Sequence, residues 1–386
     1  MKRLVLLLLA ALPAPAAAVC PAANQFNFLY SNQPAATLSY GGSYTYTAAT
    51  SGGATRSFTA AIAQNGLSSS QVNSAQMPAI STLMTGADAT KRSLVLGGTF
   101  SGRTATLSGT TRTVTVTFTF TQPIRDFAAT LYDIDFSSNQ YRDWIQVTGS
   151  SSTATYTPVL SSPAGNGNGT GVSRTASGST VTFGPATSPV TLTNQQAAGS
   201  STSDNNSSAG TINASFAQPV TSVTIRYGNA PYTGLENDTG QQAIGIAGIS
   251  FCPMPDIGVV KTSTPASGAL GAYDLPANDI TYTLTVTNTG GSPVDAGTIV
   301  LRDVLPAAVT FRNTALAGGI PFAISSGNSG VTLSSTSPAY SNDGGTTWGY
   351  APAAGYDPNV KAVRITPSGT MAPNSSFSVT FVAQVK

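Results

Sequence analysis

The chain has 386 residues, of which 8% are charged, 17 basic against 15 acidic, and it contains no histidine. That near-neutral balance leaves no basic field for nucleic acid and no acidic tail, and the missing histidine excludes Ser-His-Asp and Cys-His nucleophile systems along with every His-ligated metal centre. Hydrophobic residues make up 40%, enough for a core where they recur periodically.

The first residues have the three parts of an export signal: basic Lys2 and Arg3, an apolar run from Leu4 to Leu12, and Ala16-Ala17-Ala18 before a cleavage point after Ala18. The apolar run is shorter than the roughly 20 residues a bilayer span requires, so the mature chain is expected without a transmembrane segment, in the periplasm, at the cell surface or secreted. Val19 stands where a lipid-attachment signal before Cys20 calls for a small residue, which argues against lipidation. Cys20 and Cys252 are the only cysteines. In an oxidising compartment they are expected to bond, tying the first strand of the first module to its last and closing a loop for which chain entropy gives roughly 5 kcal/mol.

Residues 19–254 read as one module of short strands. Ser43 to Ala48 comes first. The 60–83 stretch holds the few helix-tolerant residues, so a short helix is the expectation there. Arg112 to Phe120 reads RTVTVTFTF, with Val114, Val116, Phe118 and Phe120 on one face and threonines on the other. Thr121-Gln122-Pro123 punctuates the pattern. Asp126 to Phe136 then places Ala128, Thr130, Tyr132, Ile134 and Phe136 on one side, with Asp133 and Asp135 on the other. Asp143 to Thr148, Ser179 to Phe183, Gly210 to Phe216, Val220 to Tyr227 and Ala243 to Phe251 complete the set, separated by Gly-rich loops at Gly165 to Gly171 and Gly199 to Gly210. Many short strands with turn residues between them predict an all-β fold, here a jelly-roll-like β-sandwich.

A Pro-containing joint at Pro253-Met254-Pro255 precedes a second module over 256–386, with strands expected at Ile257 to Thr262, Ile280 to Asn288, Gly297 to Val304, Val331 to Ser334, Ala362 to Ile365 and Phe377 to Val385. The alternation of Ile280, Tyr282, Leu284 and Val286 with threonines, repeated by Phe377, Val379, Phe381, Ala383 and Val385, predicts an immunoglobulin-like β-sandwich.

Four blocks of this module, IGVVKTSTPASG (257–268), DITYTLTVTNTGGSP (279–293), LRDVLPAAVTF (301–311) and NSSFSVTFVAQVK (374–386), resemble in order and spacing the bacterial conserved repeat surface domain known as domain of unknown function eleven. That resemblance implies an exported, surface-associated module with an immunoglobulin-like fold and a scaffold or adhesive role. A single copy and no recognisable anchor after Lys386 depart from the pattern of tandem, attached copies and leave tight surface attachment open. DFAATLYDIDF (126–136) and AIGIAGISFC (243–252) loosely resemble the sugar-binding jelly-roll domains of secreted bacterial proteins, an analogy of fold that does not fix function.

Carboxylates are the chemistry that remains. The one glutamate, Glu236, sits in a Gly- and Asn-rich loop. Asp133, Asp135 and Asp143 form the acidic constellation, since residues i and i+2 of a strand share a side and Asp143 opens the next strand. It has three readings: a calcium site completed by Asn139 or loop carbonyls, a pair of glycosidase carboxylates at Asp133 and Asp135, or solvated groups paired with Arg142 or Arg125. Tyr132, Tyr141 and Trp144 around the same hairpin offer a stacking platform for sugar rings, with Tyr227 and Tyr232 flanking a further loop; a core role is the alternative. Ser341 to Trp348 fits the Asp-box pattern S-x-D-x-G-x-T-W found in sialidases, which is a turn device: its aspartate accepts backbone hydrogens and its tryptophan packs beneath.

The reading taken is an exported interaction protein that binds a glycan or surface protein by recognition without catalysis, calcium being the one candidate cofactor. A glycan-active hydrolase using Asp133 and Asp135, and a purely structural surface or matrix component, are the alternatives.

Overall fold

A computed structural model describes residues 20–102, 110–137, 140–163, 179–181, 190–192, 195–199, 202–230, 240–268, 271–316 and 319–386. The predicted export signal, the Gly165 to Gly171 loop, Asn139, Tyr232 and Glu236 lie outside the described residues. The chain is all-β, as its alternation requires, and divides into two compact units, 21–254 and 255–386.

The first unit is organised by one strand, Thr113–Tyr132, whose two halves take different neighbours within one large sheet. Its first half pairs antiparallel with Thr55–Asn65 on one side and Val220–Asn229 on the other. Its second half pairs with Ile212–Ser215 and with Gln241–Pro253. The register shifts between Thr119 and Ile124, where Thr121, Gln122 and Pro123 are exposed. Proline has no N–H to give a ladder, so the pairing breaks there and the strand turns from one set of neighbours to the other. What reads in the sequence as a break between two strands is therefore a corner within one. Pairing from this strand through Thr55–Asn65, Ser43–Ala49, Phe26–Leu29 and Gln241–Pro253 returns to the strand's own second half, closing a ring.

A second irregularity shifts the faces. Asp126 is left-handed at φ 53°, and the register with Gln241–Pro253 slips between Arg125 and Ala128. The core face beyond it is Phe127, Ala129 and Leu131, all buried, while Ala128, Thr130 and Tyr132 are half-buried. Nor does the 60–83 stretch form a helix. It holds the end of Thr55–Asn65 and the short strands Leu67–Ser69, Gln71–Val72, Ala75–Gln76 and Ala79–Ser81. Phe58, Ala60 and Ile62 are buried at a period of two, and pairing with the bent strand overrides their helix tolerance.

The centre of the core is aromatic. The Phe58 ring lies 5.1 Å from Phe28, 6.0 Å from Phe118, 6.0 Å from Phe120 and 6.4 Å from Phe251, joining four strands of the ring. Cys20 and Cys252 are disulfide-bonded, and Phe26 faces Phe251 in the ladder beside them, so the first and last strands are joined both ways.

In the second unit one sheet runs Ile257–Pro265, Asp279–Asn288, Ser375–Val385, Val309–Asn313 and Gly355–Asp357, and the other Leu301–Val304, Ala362–Ile365 and Pro338–Ser341. Tyr282, Leu284, Val286, Phe311, Val363, Phe377 and Phe381 fill the space between them. Lys261 Nζ donates to Asp303 Oδ1 at 2.7 Å, linking the sheets. Val331 to Ser334, expected as a strand, contributes only an isolated bridge between Thr332 and Ser368.

Because Phe58 touches rings on four strands, Phe58→Ala is expected to destabilise the first unit by about 3–5 kcal/mol in urea unfolding. A loss below about 1 kcal/mol would mean the aromatic centre does not hold the ring closed.

Candidate functional site

The bent strand ends at Tyr132, and Asp133 takes a left-handed conformation at φ 64°, which aspartate tolerates better than most residues. Residues 133–135 are irregular and all buried, so Asp133 and Asp135 do not alternate along a strand as the sequence suggests. A tight hairpin follows, with Phe136 opposite Arg142 and Ser137 opposite Tyr141. It brings Asp143 onto Asp135: the Asp143 N–H donates to the Asp135 carbonyl at 2.9 Å, and the Asp135 N–H donates to Asp143 Oδ2 at 3.3 Å.

The three aspartates thus come together, but inside the protein. Asp133, Asp135 and Asp143 are 4%, 3% and 1% exposed. Tyr227 OH donates to Asp143 Oδ1 at 2.6 Å, so both oxygens of Asp143 are engaged. Ser203 N–H donates to Asp135 Oδ2 at 3.0 Å. Asp133 Oδ1 and Asp135 Oδ1 have no hydrogen-bond partner among the described residues. Neither arginine plays the surface-pairing part considered from sequence. Arg125 pairs with Asp126 at 3.0 Å; Arg142 is buried, with its guanidinium carbon 3.8 Å from the Phe136 ring centroid and Nη1 donating to the Gly199 carbonyl. Gly199 also donates its N–H to the Asp143 carbonyl at 3.0 Å. A methyl group on Gly199 would overlap the Asp135 carbonyl, so this loop can close over the hairpin only with glycine at that position.

Burial dominates the electrostatics. It pushes Asp133 up to about 8, aided by the charges of Asp135 and Asp204. It lifts Asp135 to about 6, where the Ser203 N–H and the Asp143 and Tyr141 side chains hold it back. Asp143 is raised well above the ordinary range by burial and by Asp135, against the Tyr227 hydrogen bond. Burial thus biases the acids toward their protonated forms, while hydrogen bonds from Ser203 and Gly199 and to Gly210 tie the neighbouring chain to the hairpin.

For a metal, only Asp133 and Asp135 keep unpartnered oxygens, Asp143 being occupied. Among the described residues, the acid or thiol group whose ligand atoms all lie within 4.8 Å of one another is Cys20, Asp126 and Cys252. Its two sulfurs are bonded to each other, so it offers no thiolates.

Of the three platform aromatics, Tyr132 and Tyr141 are partly exposed and Trp144 is not. Trp144 is fully buried, with the Arg226 guanidinium carbon 5.2 Å from its ring centroid. Tyr132 is half-buried over Gly86, Tyr141 is half-buried beside the acids, and Tyr227 is a buried partner of Asp143. Alternation of Val223, Ile225 and Tyr227 along one strand marks the Tyr227 hydroxyl as an inward group. The backbone donors of Ser203 and Gly199 carry no comparable signature.

The Asp-box is built as a turn. Asp343 Oδ1 accepts from Ser341 Oγ at 2.6 Å, Thr346 N at 3.1 Å and Thr347 N at 2.9 Å, and Oδ2 accepts from Thr347 Oγ1 at 2.7 Å. These donors hold its pKa well below the usual carboxylate range. Among the described residues, no helix is long and apolar enough to cross a membrane. Comparison with protein-family models, curated proteins and solved structures finds no match to this chain.

Because the folded-state values of Asp133 and Asp135 lie above the 3.8 of a free aspartate, the folded chain holds protons that the unfolded chain releases. Stability is then complete below the unfolded value and is lost as pH rises through about 6 and about 8. In chelator-treated protein the thermal midpoint is expected to fall between pH 5 and pH 8 by on the order of 5 °C. Asp133→Asn should flatten the upper part of that slope in scanning calorimetry, and a midpoint level from pH 5 to pH 8 would contradict the assignment.

Proposed function

We propose that this chain is an exported recognition or structural protein of the cell envelope or extracellular space that works by binding and not by catalysis. The burial of its acid cluster carries the reading. A glycosidase needs two carboxylates facing a substrate, one to protonate the leaving group and one to act as nucleophile or base. Asp133 and Asp135 are buried, with Ser203 and Gly210 against them, which argues against access by a polysaccharide. The Cys20–Cys252 disulfide is the kind of bond oxidising compartments maintain, which favours export and agrees with the basic-apolar-small pattern of residues 1–18. The resemblance of 256–386 to the conserved repeat surface domain favours a spacer or adhesive part for the second unit. Calcium enters this reading as a structural ion held through the unpartnered oxygens of Asp133 and Asp135, with loop carbonyls or water completing its shell.

The test is a turnover and binding screen of the mature chain on a polysaccharide panel, comparing the wild type with Asp135→Asn. Retention of one or more polysaccharides, no released sugar and identical behaviour of the variant are the expected results. Hydrolysis abolished by Asp135→Asn would make the chain an enzyme and overturn the reading.

A further inference from the structure

The outer face of the three-stranded sheet in the second unit carries two arginines directly opposite each other. Arg302 and Arg364 are register partners in Leu301–Val304 and Ala362–Ile365, so both side chains leave the sheet on the same side. Their strand neighbours Leu301, Asp303, Val363 and Ile365 are buried on the inner side. Like charges in such a pair repel. Among the described residues neither guanidinium donates a hydrogen bond or joins an ion pair; the pairs formed belong to Arg125, Lys261 and Arg312.

Their common contact is Trp348, which the Asp-box hairpin folds back over this face. The ring centroid lies 5.7 Å from Arg302 Cζ and 4.9 Å from Arg364 Cζ. A guanidinium carries its five N–H donors in its own plane, so packing against an indole fixes the plane while leaving the donor edges free. Neighbouring charged groups do not consume those donors. The Asp343 oxygens are taken by Ser341, Thr346 and Thr347, and Lys361 Nζ donates to the Pro358 carbonyl at 2.7 Å. Arg302 is exposed, Arg364 and Trp348 are half-exposed, and Val304, on the same face, is 64% exposed.

We propose that Arg302, Arg364 and Trp348 form a binding site for a uronic-acid polysaccharide, whose carboxylates the two guanidiniums take and whose ring C–H faces rest on Trp348 and Val304. The proposal rests on the recognition reading and supplies its ligand class. A uronate presents a planar carboxylate on the same ring as a flat apolar face, matching forked donors set beside an indole. A peptide carboxylate brings the anion alone, on a flexible stem.

Isothermal titration of the mature full-length chain with a galacturonate hexamer, a galactose hexamer and a hexaglutamate peptide tests it, with Arg302→Gln and Arg302→Gln/Arg364→Gln as variants. The uronate hexamer is expected to bind, the single variant to lose a few fold, and the double variant to lose about tenfold or more, with no binding of the neutral hexamer. Arg302 is exposed, so its single variant remains informative even if the double variant fails to fold. Absence of uronate binding by the wild type, affinity unchanged in Arg302→Gln, or equal binding of hexaglutamate would each overturn the proposal. If the hexamer binds with unchanged affinity in Arg302→Gln, this site falls and recognition stands. If the hexamer is hydrolysed in a manner that needs Asp135, recognition itself falls.

Discussion

The corner at Pro123 is the constraint on which the first unit depends. A strand with one unbroken ladder keeps one pair of neighbours along its length. Thr113–Tyr132 has two sets because its pairing lapses for three exposed residues and resumes with a shifted register. Ring closure follows from that bend, since Gln241–Pro253 can reach the second half of the strand while Phe26–Leu29 and Thr55–Asn65 lead back to the first. The rings around Phe58 gather inside the closed ring. The acid cluster sits at the far end of the same strand, where Asp133 turns the chain inward.

Placing carboxylates there is costly unless they are protonated, hydrogen-bonded or matched to a cation. The fold uses the first two: Asp143 is bonded to Tyr227 and the Asp135 backbone, while burial biases Asp133 toward its neutral form. Such a cluster suits an architectural role, since it specifies how Gly199, Ser203 and Gly210 seat on the hairpin. In the second unit, by contrast, two like charges, Arg302 and Arg364, face each other across a ladder with no ion pair among the described residues.

The clean alternation of Val114, Val116, Phe118 and Phe120 was legible because nothing interrupts its period, and so was Asp279–Asn288 in the second unit. The segment after Pro123 was misleading for a local reason. Asp126 in a left-handed conformation inserts a bulge, and each bulge exchanges the inner and outer faces downstream of it. Phe127 and Leu131 therefore occupy the core, although the pattern assigned that side to their neighbours. The meeting of Asp133, Asp135 and Asp143 was visible as a hairpin spacing. Their burial was not, because the Ser203 N–H that meets Asp135 is a backbone group any residue could provide, and the need for glycine at Gly199 shows only once the hairpin is built. The opposition of Arg302 and Arg364 was equally hidden, since it depends on the register between strands about sixty residues apart.

The Cys20–Cys252 bond has a mechanical meaning as well as a thermodynamic one. A pull applied at Cys20 and at the second unit passes through the two bonded sulfurs and bypasses the 231 residues numbered 21–251. Under tension the first unit hangs from the chain as an unloaded side body, and its strands cannot be drawn apart while that covalent link survives. Reduction would reroute the same force through the ladder between Phe26–Leu29 and Gln241–Pro253, turning a shielded unit into an extensible one.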